Sequence, residues 1–101
     1  MAFIRADGTY LQSSLILGLI DRYLLKASHD IKQFRLIQKN IQEIILLILG
    51  SLPSEIATTE IQNFLSSLDI SMGKGLTQIE VHWVKEIPPI KNKHRCIIRD
   101  F

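Results

Sequence analysis

Apolar residues recur at the three- and four-residue spacing of an amphipathic helix in two segments of the chain. The first segment is Ser13–Ala27, and either Ser13 or Ser14 is expected to cap it. The second begins at Ser54 or Thr59 and ends near Leu68. The apolar stripe of the first segment consists of Leu15, Ile16, Leu19, Ile20, Tyr23 and Leu24, and that of the second of Ile61, Phe64, Leu65 and Leu68. The pattern therefore predicts two helices, each with one apolar face.

Between and after these helices the pattern changes to strand-like periods. Residues Ile31–Lys39 and Leu76–Glu86 alternate between apolar and polar side chains, which is typical of half-exposed strands. Glu43–Leu49 is apolar at every position after Glu43, which predicts a central strand buried on both faces. Asp7-Gly8 favours a tight turn and therefore a short N-terminal hairpin. Pro88-Pro89 is expected to end the last long strand.

The order of the main elements is strand, helix, strand, strand, helix, strand. This order predicts an α+β fold: a ferredoxin-like βαββαβ sheet with two helices packed on one face, plus the short N-terminal hairpin and a basic C-terminal tail. The 101 residues contain no internal repeat and no linker, so residues 1–101 are expected to form a single domain.

The composition of the chain excludes several classes of protein but does not indicate a function. Hydrophobic residues make up 47% and charged residues 22% of the chain, which excludes a disordered protein. A net charge of +2 gives no reason to expect nucleic acid or an anionic membrane as the partner. No uncharged stretch, including Gly8–Ile20 and Ile44–Ser54, reaches the roughly 20 residues of a membrane-spanning helix. With Cys96 as its single cysteine, the chain is predicted to be cytoplasmic rather than a secreted disulfide scaffold.

Few side chains have a spacing that indicates chemistry. Gly73-Lys74-Gly75 follows a helix rather than a strand, so we interpret it as a helix C-cap and turn and not as a phosphate-binding loop. His94 lies close to Cys96, but two ligands do not complete a zinc site, and no metal is predicted. The basic cluster in the tail is either a solvated C-terminus or an anion-binding segment; it consists of Lys91, Lys93, Arg95 and Arg99.

Four stretches together resemble the C-terminal domain of the phenylacetate–coenzyme A ligase family and its CapK-like relatives, which are adenylate-forming ligases. Phe3–Gly8 resembles the strand and turn that follow the interdomain hinge of this family, and Ile31–Gln38 (IKQFRLIQ) is similar to its strand of pattern I-x-Q-Y/F-Q-V/L-I-Q. Met72–Pro88 resembles the family's glycine turn and following strand. Pro88–Arg99 is similar to its C-terminal motif, with Asn92 where the family has Gly.

The resemblance implies a role for the tail. In this family a lysine near the C-terminus enters the active site of the large domain, where it binds the carboxylic acid substrate and ATP phosphate oxygens during adenylation. Lys93 matches that catalytic lysine. Arg95 matches the basic residue two positions later, and Lys91 is the neighbouring lysine able to replace Lys93, so both are predicted to bind substrate.

The resemblance also implies partners. The family's ATP-binding loop and substrate pocket lie in a large N-terminal domain, so the chain is expected to be an excised or truncated lid domain that binds no cofactor alone. ATP, and coenzyme A as acceptor, would bind in the full-length parent. The main alternative is a non-catalytic ferredoxin-like module that binds a small ligand or forms a homodimer through its sheet. An RNA-binding sheet is disfavoured, because Phe34 and Trp83 are not interleaved with basic residues on the strands.

Overall fold

Two sheets and two α-helices make up the part of the chain described by the structure, a computed structural model that covers residues 2–27, 30–51, 54–89 and 96–101. The elements in chain order are β1 (Ala2–Ile4), β2 (Tyr10–Gln12), α1 (Ser13–Tyr23) with a 3₁₀ helix (Leu24–Ala27) after it, β3 (Ile31–Asn40), β4 (Glu43–Gly50), α2 (Glu55–Met72), β5 (Gln78–Val84) and β6 (Ile97–Arg99). This content confirms the α+β class predicted from the sequence.

The larger sheet has four strands in the order β5–β4–β3–β6. β3 and β4 form an antiparallel hairpin across the two-residue loop Ile41-Gln42. The loop is stabilised by Asn40, whose Oδ1 accepts a hydrogen bond from the Gln42 N–H at 2.8 Å. β5 is parallel to β4, and β6 is parallel to β3. β1 and β2 pair with each other in a separate two-stranded sheet.

Both helices contribute to a single hydrophobic core on one side of the four-stranded sheet. Ile16 and Ile20 of α1 belong to the same buried cluster as Phe64 and Leu68 of α2. The strands contribute every second residue to this cluster, namely Leu36, Ile44, Leu46, Ile48 and Ile97. Alternate residues of a strand point to opposite faces, so these positions define the helix-covered face of the sheet.

The expected burial of β4 on both faces is wrong. Ile44, Leu46 and Ile48 are 0% exposed, whereas Ile45 and Leu47 are only half-buried. The reason is that the helices cover only one face of the sheet, so a strand that is apolar at every position still has unequal faces.

The predicted cap of the first helix is wrong, whereas one of the two predicted starts of the second helix, Ser54, is confirmed; the other, Thr59, lies inside α2. Helix α1 begins after Gln12, whose side chain makes no capping hydrogen bond, so neither Ser13 nor Ser14 is the N-cap. Helix α2 begins after Ser54, whose hydroxyl accepts a hydrogen bond from the Ala57 N–H at 3.2 Å. No helix among the described residues is long and apolar enough to cross a bilayer.

Candidate functional site

The predicted active-site segment joins the two edges of the four-stranded sheet. Lys91, Lys93 and Arg95 lie outside the described residues, but the chain on both sides of them is described. On one side it leaves β5, and Ile87 is buried at 4% exposure. On the other side the description resumes at Cys96, directly before β6 begins at Ile97. Because β5 and β6 are the first and last strands in the sheet order, these flanks lie at opposite edges.

Strand β6 holds the C-terminal flank of the segment firmly against β3. The Cys96 carbonyl accepts a hydrogen bond from the Leu36 N–H at 2.7 Å. Ile97 is buried in the core, and the Asp100 N–H donates to the Gln38 carbonyl at 2.9 Å. Part of the predicted basic tail is therefore a short strand, and its register on β3 is fixed on both sides.

Gln38 lies on β3 and connects this strand to the N-terminal hairpin. Its side chain is 0% exposed. The Ile4 N–H donates to Gln38 Oε1 at 2.9 Å, and Gln38 Nε2 donates to the Ile4 carbonyl at 2.7 Å. A glutamine amide presents a donor and an acceptor side by side, so it pairs with the backbone of β1 as a neighbouring strand would. Gln38 thus binds β1 through its side chain and the β6 end of the chain through its backbone.

Arg5 fixes the hairpin at a second point. Its Nε donates to the Ser71 carbonyl at 2.7 Å, and its Nη1 donates to the Tyr10 carbonyl at 2.8 Å. Ser71 lies in the last turn of α2, where backbone carbonyls have no partner within the helix. Hydrogen bonds from a guanidinium group are strong. The bond to Ser71 holds the hairpin against the C-terminal end of α2, and the bond to Tyr10 connects the two strands of the hairpin.

Charged side chains surround the end of β6. Lys39 Nζ lies 2.9 Å from Asp100 Oδ2, and both side chains are largely exposed. The Arg99 guanidinium lies 5.7 Å from the centre of the Phe101 ring. A shallow recess of about 460 Å³ lies beside them, lined by Asn40, Ile41, Gln42 and Phe101. Of the predicted basic cluster, Arg99 is described and lies on β6, whereas Lys91, Lys93 and Arg95 lie outside the described residues.

The Gly73-Lys74-Gly75 stretch is a turn, which confirms the interpretation from the sequence. Gly73 is the C-cap of α2 with φ of 106°, and Gly75 has φ of 77°. A Cβ atom at Gly73 would lie 2.9 Å from a methyl group of Leu76, so glycine is also needed for space. The Gly75 N–H donates to the Asp69 carboxylate at 3.3 Å. These contacts connect α2 to β5.

The pKa values of Asp7 and Tyr23 are lowered by hydrogen bonds within the described fold. The Thr9 hydroxyl donates to Asp7 Oδ1 at 2.6 Å and the Thr9 N–H donates to it at 3.0 Å, so these bonds hold the pKa of Asp7 below its ordinary value. A hydrogen bond with the Ser67 hydroxyl lowers the pKa of Tyr23, and Arg22 adds to this shift. Both groups stabilise local structure, at the hairpin turn and between α1 and α2.

Metal-ligating side chains do not converge among the residues that the structure covers, where no group of three or more His, Cys, Asp or Glu side chains has suitable geometry. One pair does meet on β5: His82 Nε2 lies 3.1 Å from Glu80 Oε2. His94 lies outside the described residues, so its relation to Cys96 is not defined.

The sequence analysis missed Gln38, Arg5 and the Glu80–His82 pair. Gln38 is in phase with Leu36 on β3, and a polar residue in phase with buried positions is a signal for a structural hydrogen bond. Glu80 and His82 are two residues apart on an alternating strand and so share one face. Arg5 gave no comparable signal.

Comparison of the chain with protein-family models, with curated proteins and with solved structures finds no match. The family resemblance therefore depends on the four stretches of sequence themselves. Two of their residues, Gln38 and Gly73, have structural roles in the described fold.

Proposed function

We propose that the chain is the C-terminal lid domain of an adenylate-forming acyl ligase of the phenylacetate–coenzyme A ligase type. Its partner is the large ATP-binding domain of the parent enzyme. The lid closes over ATP and a carboxylic acid and delivers Lys93 as the catalytic residue, with Arg95 and Lys91 as substrate-binding residues. After adenylation the domain rotates to form the thioester site for coenzyme A.

The observation that carries this proposal is the double attachment at Gln38. A lid domain works only if rotation at its hinge moves the catalytic tail as part of the same body. In this chain the strand next to the expected hinge, β1, and the strand that follows the tail, β6, are bound to one buried residue. Movement of the hairpin is therefore expected to carry β6 and the preceding tail with it.

The chemistry assigned to Lys93 follows from the charge that develops during adenylation. The carboxylate oxygen attacks the α-phosphate of ATP, and pyrophosphate leaves. Negative charge is spread over the oxygens around phosphorus in the transition state, and a positioned ammonium group stabilises it. A lysine suits this role because its charge is compact and its stem is flexible.

We propose further that the domain is a variant of the ferredoxin-like arrangement. It keeps the strand–helix–strand–strand–helix–strand order, with the N-terminal hairpin in the place of the first strand. In the variant this hairpin stands outside the four-stranded sheet and is joined to it by the Gln38 side chain instead of a backbone ladder.

The proposal is tested in a protein that contains this chain after an ATP-binding domain. Carboxylate-dependent exchange between ATP and pyrophosphate measures adenylation. Lys93→Ala should slow this exchange by about 10²–10³-fold, the usual effect of removing one preorganised donor. Thioester formation from preformed acyl-adenylate should change much less, because the rotated domain then presents another surface.

Lys74→Ala is the matched control, because Lys74 is an exposed lysine in the turn before β5. It should leave both half-reactions unchanged. Equal losses in both half-reactions with Lys93→Ala would indicate misfolding, and a loss only with Lys91→Ala would assign the role to that residue. Exchange by the isolated 101-residue chain, in proportion to its concentration, would contradict the lid proposal.

A further inference from the structure

Strand β5 forms a long, regular edge of the sheet. β4 pairs with one side of it, and no strand pairs with its other side within the described ranges. The register with β4 continues without a shift from Gln78 to Val84, so the strand has no bulge. Its sequence, QIEVHWV, contains neither proline nor lysine, the residues with which proteins commonly block an exposed edge. The edge is therefore a regular template for another strand.

One hydrogen bond identifies the backbone groups that point outward from this edge. The Gln78 N–H donates to the Gln42 carbonyl at 2.7 Å, so Gln78 points towards β4. The backbone groups of successive strand residues point to opposite sides, so the even-numbered residues of β5 bond to β4. The outward N–H and carbonyl groups belong to Ile79, Val81 and Trp83.

We propose that a second copy of this chain pairs with β5 in antiparallel orientation, with the two-fold axis at Val81. Val81 then lies opposite Val81 of the second copy, and Ile79 lies opposite Trp83 of the second copy. These are hydrogen-bonded pairs, and together they use every outward backbone group of the strand. Such a self-complementary contact is the usual geometry of a two-fold dimer.

The side chains of Glu80 and His82 on β5 select this register. Glu80 lies opposite His82 of the second copy, in a non-hydrogen-bonded pair whose Cα atoms are about 4.5 Å apart and whose side chains are closest. Within one chain these two side chains already lie 3.1 Å apart, and each is 49% exposed. The dimer therefore places each carboxylate between two imidazoles. The adjacent two-fold registers instead place Glu80 opposite Glu80 or His82 opposite His82.

The apolar side of the strand also fits a second copy. Ile79 and Trp83 lie on the helix-covered face, and the Trp83 side chain is 39% exposed. Beside it runs a groove of about 220 Å³ lined by Thr58, Ile61, Gln62, Leu65, Val81 and Trp83. In the proposed register Ile79 of the second copy lies against Trp83 and covers part of its indole ring.

This pairing does not depend on the lid proposal, and the isolated 101-residue chain tests it. Sedimentation velocity over a range of concentrations measures the monomer–dimer equilibrium. Trp83 is the only tryptophan of the chain, so its emission should shift to shorter wavelength over the same range in which the dimer forms. A chain that stays monomeric at millimolar concentration would overturn the proposal.

Two charge variants test the register. Glu80→Lys places an ammonium group opposite His82 of the second copy, and His82→Glu places a second carboxylate opposite Glu80. Each variant alone should therefore dimerise about ten-fold more weakly than the original chain. A mixture of the two should dimerise again, because the introduced lysine of one variant then lies opposite the introduced glutamate of the other. In the same mixed dimer the retained His82 lies opposite the retained Glu80, and this recovery cannot come from misfolding.

Glu43→Lys is the matched control, since Glu43 is an exposed carboxylate at the start of β4 and not at the free edge. It should dimerise as the original chain does. Undiminished dimerisation of both charge variants, or no recovery in their mixture, would show that any dimer forms elsewhere and would overturn the assignment to β5.

Discussion

The two edges of the four-stranded sheet differ in length and in what surrounds them. β6 has three residues, and its neighbour β3 also holds the N-terminal hairpin through Gln38. β5 has seven residues and carries the half-exposed Trp83. An edge strand that is short exposes few unpaired backbone groups, whereas a long regular one exposes a full row of them.

The two edges therefore differ in the kind of contact that they can form. Next to the β6 edge, β3 pairs with β6 and binds the N-terminal hairpin through Gln38. The polar groups of β3 at this edge therefore form hydrogen bonds within the chain. The β5 edge carries Glu80 and His82, which lie opposite each other across the two copies in the proposed dimer. Proposed lid function and proposed dimerisation thus belong to opposite sides of the same sheet, and they can be tested separately.

The largest expected effect comes from a core residue on β4, one of the two inner strands of the sheet. Leu46 is 0% exposed, and it lies opposite Leu36 on one side and Val81 on the other. Leu46→Ala should lower the free energy of unfolding by about 2–5 kcal/mol, through lost transfer energy and a residual cavity. Urea unfolding measures this loss.

Hydrogen exchange in the same variant tests whether the edges unfold together. If β5 and β6 belong to one cooperative unit, Leu46→Ala should reduce their protection alike. Leu47→Ala is the control, because Leu47 lies on the uncovered face and is half-buried. A loss for Leu46→Ala no greater than for Leu47→Ala would mean that the core is not centred on the helix-covered face.

Two glutamines provide a direct comparison of the edges. Gln38→Leu leaves the Ile4 N–H and carbonyl without their partner, which should cost about 1–3 kcal/mol. Gln78→Leu changes an exposed side chain on β5 and should stay within about 0.5 kcal/mol of the original chain. Thermal unfolding of both variants measures the difference. Similar losses of stability in the two variants would show that the hydrogen bonds between Gln38 and the hairpin do not stabilise the fold.

How far the sequence predicts the fold is clear from β4 and the hairpin. Alternation tells which residues share a face, and it placed Ile79, Val81 and Trp83 together, as the structure has them. It does not tell which face the helices cover, and so β4 was expected to be buried on both sides. The attachment of the hairpin was missed because it depends on one side chain, Gln38, and not on a repeating pattern.

The candidate site shows a different limit. Lys91, Lys93 and Arg95 were selected by resemblance, and they lie outside the described residues, so their roles remain predictions. Short-range features of the fold were predictable, such as the turn at Gly73, because glycine at a positive φ follows from local backbone sterics. Contacts between distant residues, such as Arg5 with Ser71, leave no periodic trace in the sequence.

A smaller effect is expected from the ion pair at the β6 edge. Lys39 and Asp100 are largely exposed, so their pair should contribute only about 0.2–1 kcal/mol, and less at high salt. A double-mutant cycle with Lys39→Ala and Asp100→Ala isolates this coupling from other effects of each change. A coupling that does not weaken between low and high salt would mean that the two residues interact through structure rather than charge.

The smallest effect concerns the hairpin turn, where Asp7 accepts two hydrogen bonds from Thr9. Its pKa is lowered in the folded chain from an ordinary value of 3.8, first by the Thr9 hydroxyl and then by the Thr9 N–H. A group with a lowered folded pKa stabilises the fold above its unfolded pKa, and this stabilisation is lost as the pH falls through the folded pKa. Asp7→Asn keeps an oxygen acceptor and a turn-forming Asn-Gly pair but removes the titration. The melting temperature of this variant should therefore fall less between about pH 6 and pH 2 than that of the original chain.

Asp21→Asn, a change at an exposed carboxylate on α1, is the control for removing any one acidic group. If Asp21→Asn alters the acid dependence as much as Asp7→Asn does, the Thr9 bonds contribute nothing specific, and the hairpin depends on Gln38 and Arg5 alone.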